Sequence, residues 1–208
     1  MPDRDPPPDL EAQRAYADAY YGYAPLVHLR RPLVVIGMPG AETVAVCNAL
    51  ASLTGLPLID LSRRVEHDAG KSVTHIVLRE GERMLRAREA ALLMRAVEER
   101  PPAIIACGPG AWSKAEIRRA LPAQADTLAL QRPEGALLQA LRAAVARSPG
   151  SEPDFMGGQP IELGRLRQLC AEHAPHHATA ARRFEAGELH STRVAEALMV
   201  VLGWSPPA

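Results

Sequence analysis

Apolar residues fall into two kinds of run along this chain. Compact blocks such as Leu33-Val34-Val35-Ile36-Gly37 are bounded by Gly and Pro. Between them lie longer segments where apolar positions recur every three or four residues. The blocks predict buried strands and the recurring segments amphipathic helices. In chain order the pattern predicts a helix over 10–23, then strand, loop and helix over 33–54. A short strand follows over 55–60, then helices near 62–69, 73–78 and 80–99. A buried strand over 102–106 runs into Cys107-Gly108-Pro109-Gly110. Beyond it come a helix over 113–121, a strand over 126–131 and a helix over 133–147. Residues 148–160 read as loop, before helices over 162–173 and 191–202. Strands alternating with helices imply an α/β three-layer sandwich, with a central parallel sheet of about five strands covered on both faces.

The first block and the segment after it form a strand, a Gly-rich turn and a helix. This is the setting of a phosphate-binding loop, G-x-x-x-x-G-K-[ST]. Gly37 takes the first glycine, and Gly40 lies inside the turn. Glu42 stands at the second glycine, Thr43 at the lysine and Val44 at the metal-binding hydroxyl. A carboxylate at Glu42 points into a ring of N–H groups suited to phosphate. There it either fills the anion site itself or merely favours the helix start, by about 0.3–1 kcal/mol. Affinity for ATP with magnesium is expected to be no better than millimolar, about −4 kcal/mol. Gly70-Lys71-Ser72 spells the end of the same motif. No strand precedes it and Val65 holds the required glycine position, so it is set aside.

Composition narrows the picture modestly. The 208 residues, 47% hydrophobic and 23% charged, suit one domain with a substantial core. The division expected is an N-terminal extension over 1–30, with a Pro-rich start and a Tyr-rich helix, and a domain over 31–204. Net charge is zero, which gives no electrostatic case for nucleic acid or an acidic membrane. No run approaches the ~18 apolar residues of a membrane span. Three widely spaced cysteines (Cys47, Cys107, Cys170) make no disulfide framework, which suits a reducing cytoplasm. All four tyrosines, Tyr16, Tyr20, Tyr21 and Tyr23, lie in the first predicted helix. Either they pack on the domain or they form a docking face for a protein partner. Cys170, His173 and His177 share a helical face, with His176 beside them. Pro175 interrupts that helix and no carboxylate completes a ligand set, so structural or surface histidines are preferred over a metal site, and no metal is expected.

Several fragments, in order, resemble the shikimate kinase family, P-loop kinases of the nucleoside-monophosphate-kinase type. Gly55-Leu-Pro-Leu-Ile-Asp-Leu-Ser62 is similar to its G-x-P-F-x-D-x-D. Ala69-Gly70-Lys71-Ser72-Val73 is similar to its A-G-x-S-I. Gly81-Glu82 through Glu89 is similar to G-E-x-x-F-R-x-x-E, and Ile105 through Gly110 to I-x-T/S-G-G-G. The resemblance implies that Arg86 grips a substrate carboxylate and that Asp60 sits near the magnesium site, the one candidate catalytic residue. It implies that Gly108 and Gly110 belong to a turn whose N–H groups face substrate, although Pro109 between them has none to give. Ser62 replaces a second Asp, and His173 stands near a substrate-contacting arginine. Residues 148–160 lie where the family has its lid, with Gln159-Pro160-Ile161 nearest its R-P-L. Alternatively, Arg86 and Glu89 form a structural i, i+3 ion pair.

Phosphoryl transfer is positioning and charge stabilisation, and losing one preorganised donor costs about 2.7–4 kcal/mol. With the lysine, the hydroxyl, the second Asp and the lid arginine all altered, the leading expectation is a non-catalytic, pseudokinase-like protein. It would be a ligand-sensing or partner-binding regulatory module that needs no cofactor and takes at most a small carboxylic acid. The alternatives are a divergent, active, ATP- and magnesium-dependent kinase of shikimate or a related alcohol, and a purely structural subunit.

Overall fold

A computed structural model describes residues 26–147 and 162–204. The Tyr-rich helix, most of the N-terminal extension and the lid-equivalent loop fall outside the described residues. The sheet has five parallel strands: β1 (Leu33–Gly37), β2 (Leu58–Asp60), β3 (Ile104–Cys107), β4 (Asp126–Gln131) and β5 (Arg182–Glu185), in the order β2-β3-β1-β4-β5. Central β1 pairs with β3 from Leu33↔Ile104 to Ile36↔Cys107, and with β4 from Leu33↔Asp126 to Gly37↔Leu130. The chain leaves β1 for β2 and β3 on one side and only then crosses to β4 on the other. Such a reversal leaves a crevice at the C-terminal ends of the strands, where doubly wound sheets take ligands.

The alternation of β1 divides the core in two. Leu33 and Val35 face α1 (Thr43–Thr54), α7 (Glu134–Arg147), α8 (Leu163–His177) and α9 (Ser191–Leu202), meeting Val46, Leu50, Leu137, Leu166 and Val194. Val34 and Ile36 face the other helical layer, α2 (Leu61–Ala69), α3 (Val73–Glu80), α4 (Glu82–Glu98), α5 (Pro109–Ser113) and α6 (Ala115–Ala120). There they meet Leu61, Ile76, Leu93, Trp112 and Ile117. Each fully buried apolar side chain of this kind contributes about 1.5–3 kcal/mol. Among the described residues no helix is long and apolar enough to cross a membrane.

Several boundaries differ from the sequence reading. The second strand is only 58–60, because Pro57 has no amide hydrogen and uses its carbonyl to accept from the Ile104 amide. The helix expected over 113–121 is two short helices, broken at Lys114, with a 3₁₀ turn over Leu121–Ala123. Pro175 does not interrupt its helix: α8 runs on to His177, and the Ala178 amide still reaches the Ala174 carbonyl at 3.0 Å. Strand β5, Arg-Arg-Phe-Glu, is not predicted by the apolar pattern. It is an edge strand with mostly exposed side chains, so it carries no apolar run to read.

Candidate active site

The segment that matches the phosphate-loop pattern joins β1 to α1 as strand, turn and helix. Gly40 has φ 82° and packs so closely on α7 that a Cβ would strike the Leu137 carbonyl. Glu42, the N-cap of α1, lies in the left-handed region at φ 57°, ψ 33°. It is the one positive-φ residue other than glycine among the described residues. Holding a side chain there costs about 1–2 kcal/mol, which a glycine would not incur. The Thr43 hydroxyl turns back against Gly37, and Val44 is part-exposed at the helix start. Glu42 makes no capping bond to α1. Its carboxylate reaches Arg132 instead, at 3.2 Å.

Asp60 ends β2 and caps α2, its Oδ1 accepting from the amides of Ser62 (3.0 Å) and Arg63 (3.3 Å). With Val44, Asn48, Leu58 and Arg63 it lines a cleft of about 350 Å³ beside the loop. A magnesium ion, which ATP-dependent transfer ordinarily employs, does not fit the residues present. Val44 offers no oxygen, one Asp60 oxygen is held by two amides, and the Arg63 guanidinium stands 3.8 Å from the other. Among the described residues no three His, Cys, Asp or Glu side chains are grouped to hold a metal.

Arg86 projects from α4 onto the turn after β3. A Cβ on Gly110 would collide with its guanidinium and with the Glu89 carboxylate, so glycine is what lets the charged pair sit there. Arg86 donates to Glu89 at 2.9 Å and to Glu82 at 2.7 Å. The ion-pair reading and the placement against the turn therefore coexist. Burial works against the Arg86 charge, but Glu89 and Glu82 outweigh it and raise its pKa. Burial pushes the Glu89 carboxyl up, while Arg86 pulls against that shift. Gly108 opens α5, with open space where a Cβ would be.

Of the histidines of α8, His173 lies within range of Arg86, and His177 lines a cavity with Met38 and Arg132. His173 and His177 are buried with ring centroids 6.3 Å apart. Burial, followed by the charge of Arg86, lowers the pKa of His173. Burial, then His173 and His176, lowers that of His177 to about 4. Fully buried Trp112 ties α8 to α5 by donating to the His176 carbonyl at 2.8 Å. The Gly70-Lys71-Ser72 sequence is local structure. Gly70 ends α2 at φ 64°, Ser72 caps α3, and Lys71 pairs with Glu80 at 2.7 Å. Burial pushes the Cys47 and Cys107 thiols up, so neither is poised as a thiolate nucleophile.

The sequence reading missed Arg132. It follows β4 directly, and its side chain is only 5% exposed. An arginine closing an apolar strand at the ligand-binding end of a parallel sheet was the available signal.

A five-stranded parallel sheet with a strand–loop–helix unit at its centre defines a P-loop kinase fold. The family model for shikimate kinase matches residues 40–201. The shikimate kinase of Symbiobacterium thermophilum is 37% identical over 150 residues, 72% of this chain and 82% of that protein. That of Caulobacter vibrioides is 29% identical over 172 residues, covering 83% and 82%. The chain belongs to the shikimate kinase family. Solved structures share the fold. Shikimate kinase from Acinetobacter baumannii in complex with shikimate superposes with TM-score 0.73 at 22% identity, over 83% of this chain and 93% of that one. The Aquifex aeolicus enzyme gives 0.67 at 18%, over 83% and 96%.

These relatives overturn the expectation of a non-catalytic module. Proteins alike over most of the chain are named as kinases, and nothing among them indicates a regulatory or pseudokinase role. The residues of the loop are not its whole electrostatic setting, since the fold also brings Arg132 from the end of β4 to within 3.2 Å of Glu42.

Proposed function

We propose that this protein is an ATP-dependent phosphotransferase acting on shikimate or a closely related small hydroxylated carboxylic acid. The observation that supports this most directly is Arg86, packed on the Gly110 turn at the C-terminal ends of the strands in a chain of this family. In this reading Arg86 holds the acceptor's carboxylate, with Glu82 and Glu89 keeping the guanidinium charged and aimed. His173, kept neutral by burial and by Arg86, borders the acceptor without adding repulsion to that cation. Asp60, at the end of β2, lines the cleft beside the loop. ATP is the phosphoryl donor in this proposal, and its affinity need not be better than millimolar for turnover. Three free thiols fit a cytoplasmic enzyme.

The test is a coupled assay for ADP release with shikimate and ATP, alongside calorimetric titration of shikimate. Phosphorylation that Arg86→Lys weakens chiefly through KM for the acid is expected. No phosphorylation of shikimate or related hydroxy acids by the full-length chain at millimolar ATP would overturn the proposal.

A further inference from the structure

The loop's positive charge has an alternative source in the fold. The lysine position holds Thr43, whose hydroxyl is turned back against Gly37. Opposite the loop, Arg132 enters from the end of β4 and is 95% withdrawn from solvent, with its side chain 5% exposed. Its Nη2 donates to the Leu189 carbonyl at 2.8 Å and lies 3.2 Å from Glu42 Oε2. Its Nε is buried and has no hydrogen-bond partner among the described residues. A buried guanidinium with an unmet donor is costly unless something accepts from it. The same side chain lines a cavity of about 130 Å³ with Met38 of the loop, Leu137, His177 and Glu134, whose carboxylate is paired with Arg167 at 2.7 Å. That is room for about four waters at about 30 Å³ each, the scale of a phosphate group and not of a whole nucleotide.

Glu42 meets Arg132 and leaves its own helix without a side-chain cap. As N-cap of the twelve-residue α1 it makes no side-chain capping bond. The first N–H groups of α1 therefore have no side-chain acceptor from their own cap, and they point toward the loop's mouth. Glu42 directs its charge to Arg132, ninety positions away, even though its backbone is held in a strained left-handed geometry. The anion-binding amides stay open, while a counter-ion keeps the arginine ordered.

We propose that Arg132 supplies the cation of the phosphate loop, exchanging Glu42 for the phosphates of a nucleoside triphosphate. The inference rests on the kinase reading above, and it assigns a residue that the loop motif does not contain. Glu42 then competes with the nucleotide for Arg132, which weakens nucleotide binding and makes it depend on displacing the carboxylate.

The experiment is a double-mutant cycle read by calorimetry. Wild type, Glu42→Gly, Arg132→Ala and the double variant are titrated with ATP and, separately, with tripolyphosphate, with circular dichroism confirming each fold. Tripolyphosphate reports phosphate recognition without the base. Glu42→Gly is expected to bind both at least tenfold more tightly than wild type. Removing Arg132 from that background is expected to lose at least tenfold. Arg132→Gln, closer in size, reads the same contrast if the alanine variants do not fold. Equal affinities of Glu42→Gly and the double variant would reduce Arg132 to a counter-ion and overturn the inference. So would the absence of any polyphosphate binding by Glu42→Gly. The two readings also fail separately. Shikimate phosphorylation by wild type, with no Arg132 effect on polyphosphate affinity, overturns this inference alone. Polyphosphate binding through Arg132, with no hydroxy acid phosphorylated, overturns the kinase reading alone.

Discussion

Two walls of one crevice have been built by different means. On the side proposed for the acceptor, Arg86 and Glu89 of α4 pack on Gly110 of the turn after β3, and Asp60 ends β2. Their contacts are short-range: Arg86 with Glu82 and Glu89 on its own helix, Asp60 with amides two and three residues on. On the side proposed for the nucleotide, strand, turn and helix remain while Glu42, Thr43 and Val44 stand at the motif's glycine, lysine and hydroxyl positions. The compensating cation, Arg132, comes from a distant strand end. A motif's backbone geometry and its electrostatics can therefore separate. The turn is held where Gly40 meets α7, and Glu42 occupies a left-handed conformation at a cost of about 1–2 kcal/mol. The charge can be relocated because phosphate recognition needs a positive group at the right place, whatever its origin in sequence.

The largest effect is expected on the acceptor side. Arg86→Ala leaves the Glu89 carboxylate, 10% exposed, without its nearest cation. Breaking such a buried pair costs about 3–5 kcal/mol near neutral pH, measurable by urea unfolding. Glu89 already has a raised pKa, and losing Arg86 raises it further, so the penalty should shrink as pH falls. A penalty independent of pH would show that packing, not charge, is what Arg86 supplies.

Acid should weaken the molecule through His177, which lines the nucleotide-side cavity. Its pKa is about 4 in the fold and about 6.5 in the unfolded chain. Above pH 6.5 both states hold it neutral. Between 6.5 and 4 the unfolded chain binds a proton that the fold refuses, so stability falls as pH drops through this window. The full loss is of order 3 kcal/mol. His177→Gln should flatten the pH dependence of the melting temperature over that range. An unchanged profile would move the acid sensitivity to another group.

Gly110→Ala places a methyl in the space of the Arg86 and Glu89 head groups. A destabilisation of about 1–3 kcal/mol is expected, together with loss of shikimate binding by calorimetry and no change in tripolyphosphate affinity. Loss of both ligands together would break the separation of the two walls. The smallest effect tests the loop's backbone alone. Glu42→Ala and Glu42→Gly both remove the contact to Arg132, but only glycine relaxes the left-handed turn. Glu42→Gly should be the more stable of the two by about 1 kcal/mol. Equal stabilities would mean that the turn is not strained.

Much of this was legible in the order of residues, because it is decided by near neighbours. The strand over 126–131 and the helix over 191–202 match their predicted limits. Apolar spacing and flanking turn residues act within a few positions and specify those elements directly. The Asp60 cap and the Arg86–Glu89 spacing are equally local, and the family's motifs could be aligned on them. The tertiary structure alone decided the rest. β5 is polar and exposed, and it is a strand only because β4 offers its backbone to Arg182–Glu185. Pro175 stays inside α8, whose last turn is anchored by Trp112 from a different helix. Glu42 and Arg132, ninety positions apart, meet only after the sheet has set β4 beside β1. No local spacing encodes such a pairing, since charge acts through space and the fold alone fixes the distance.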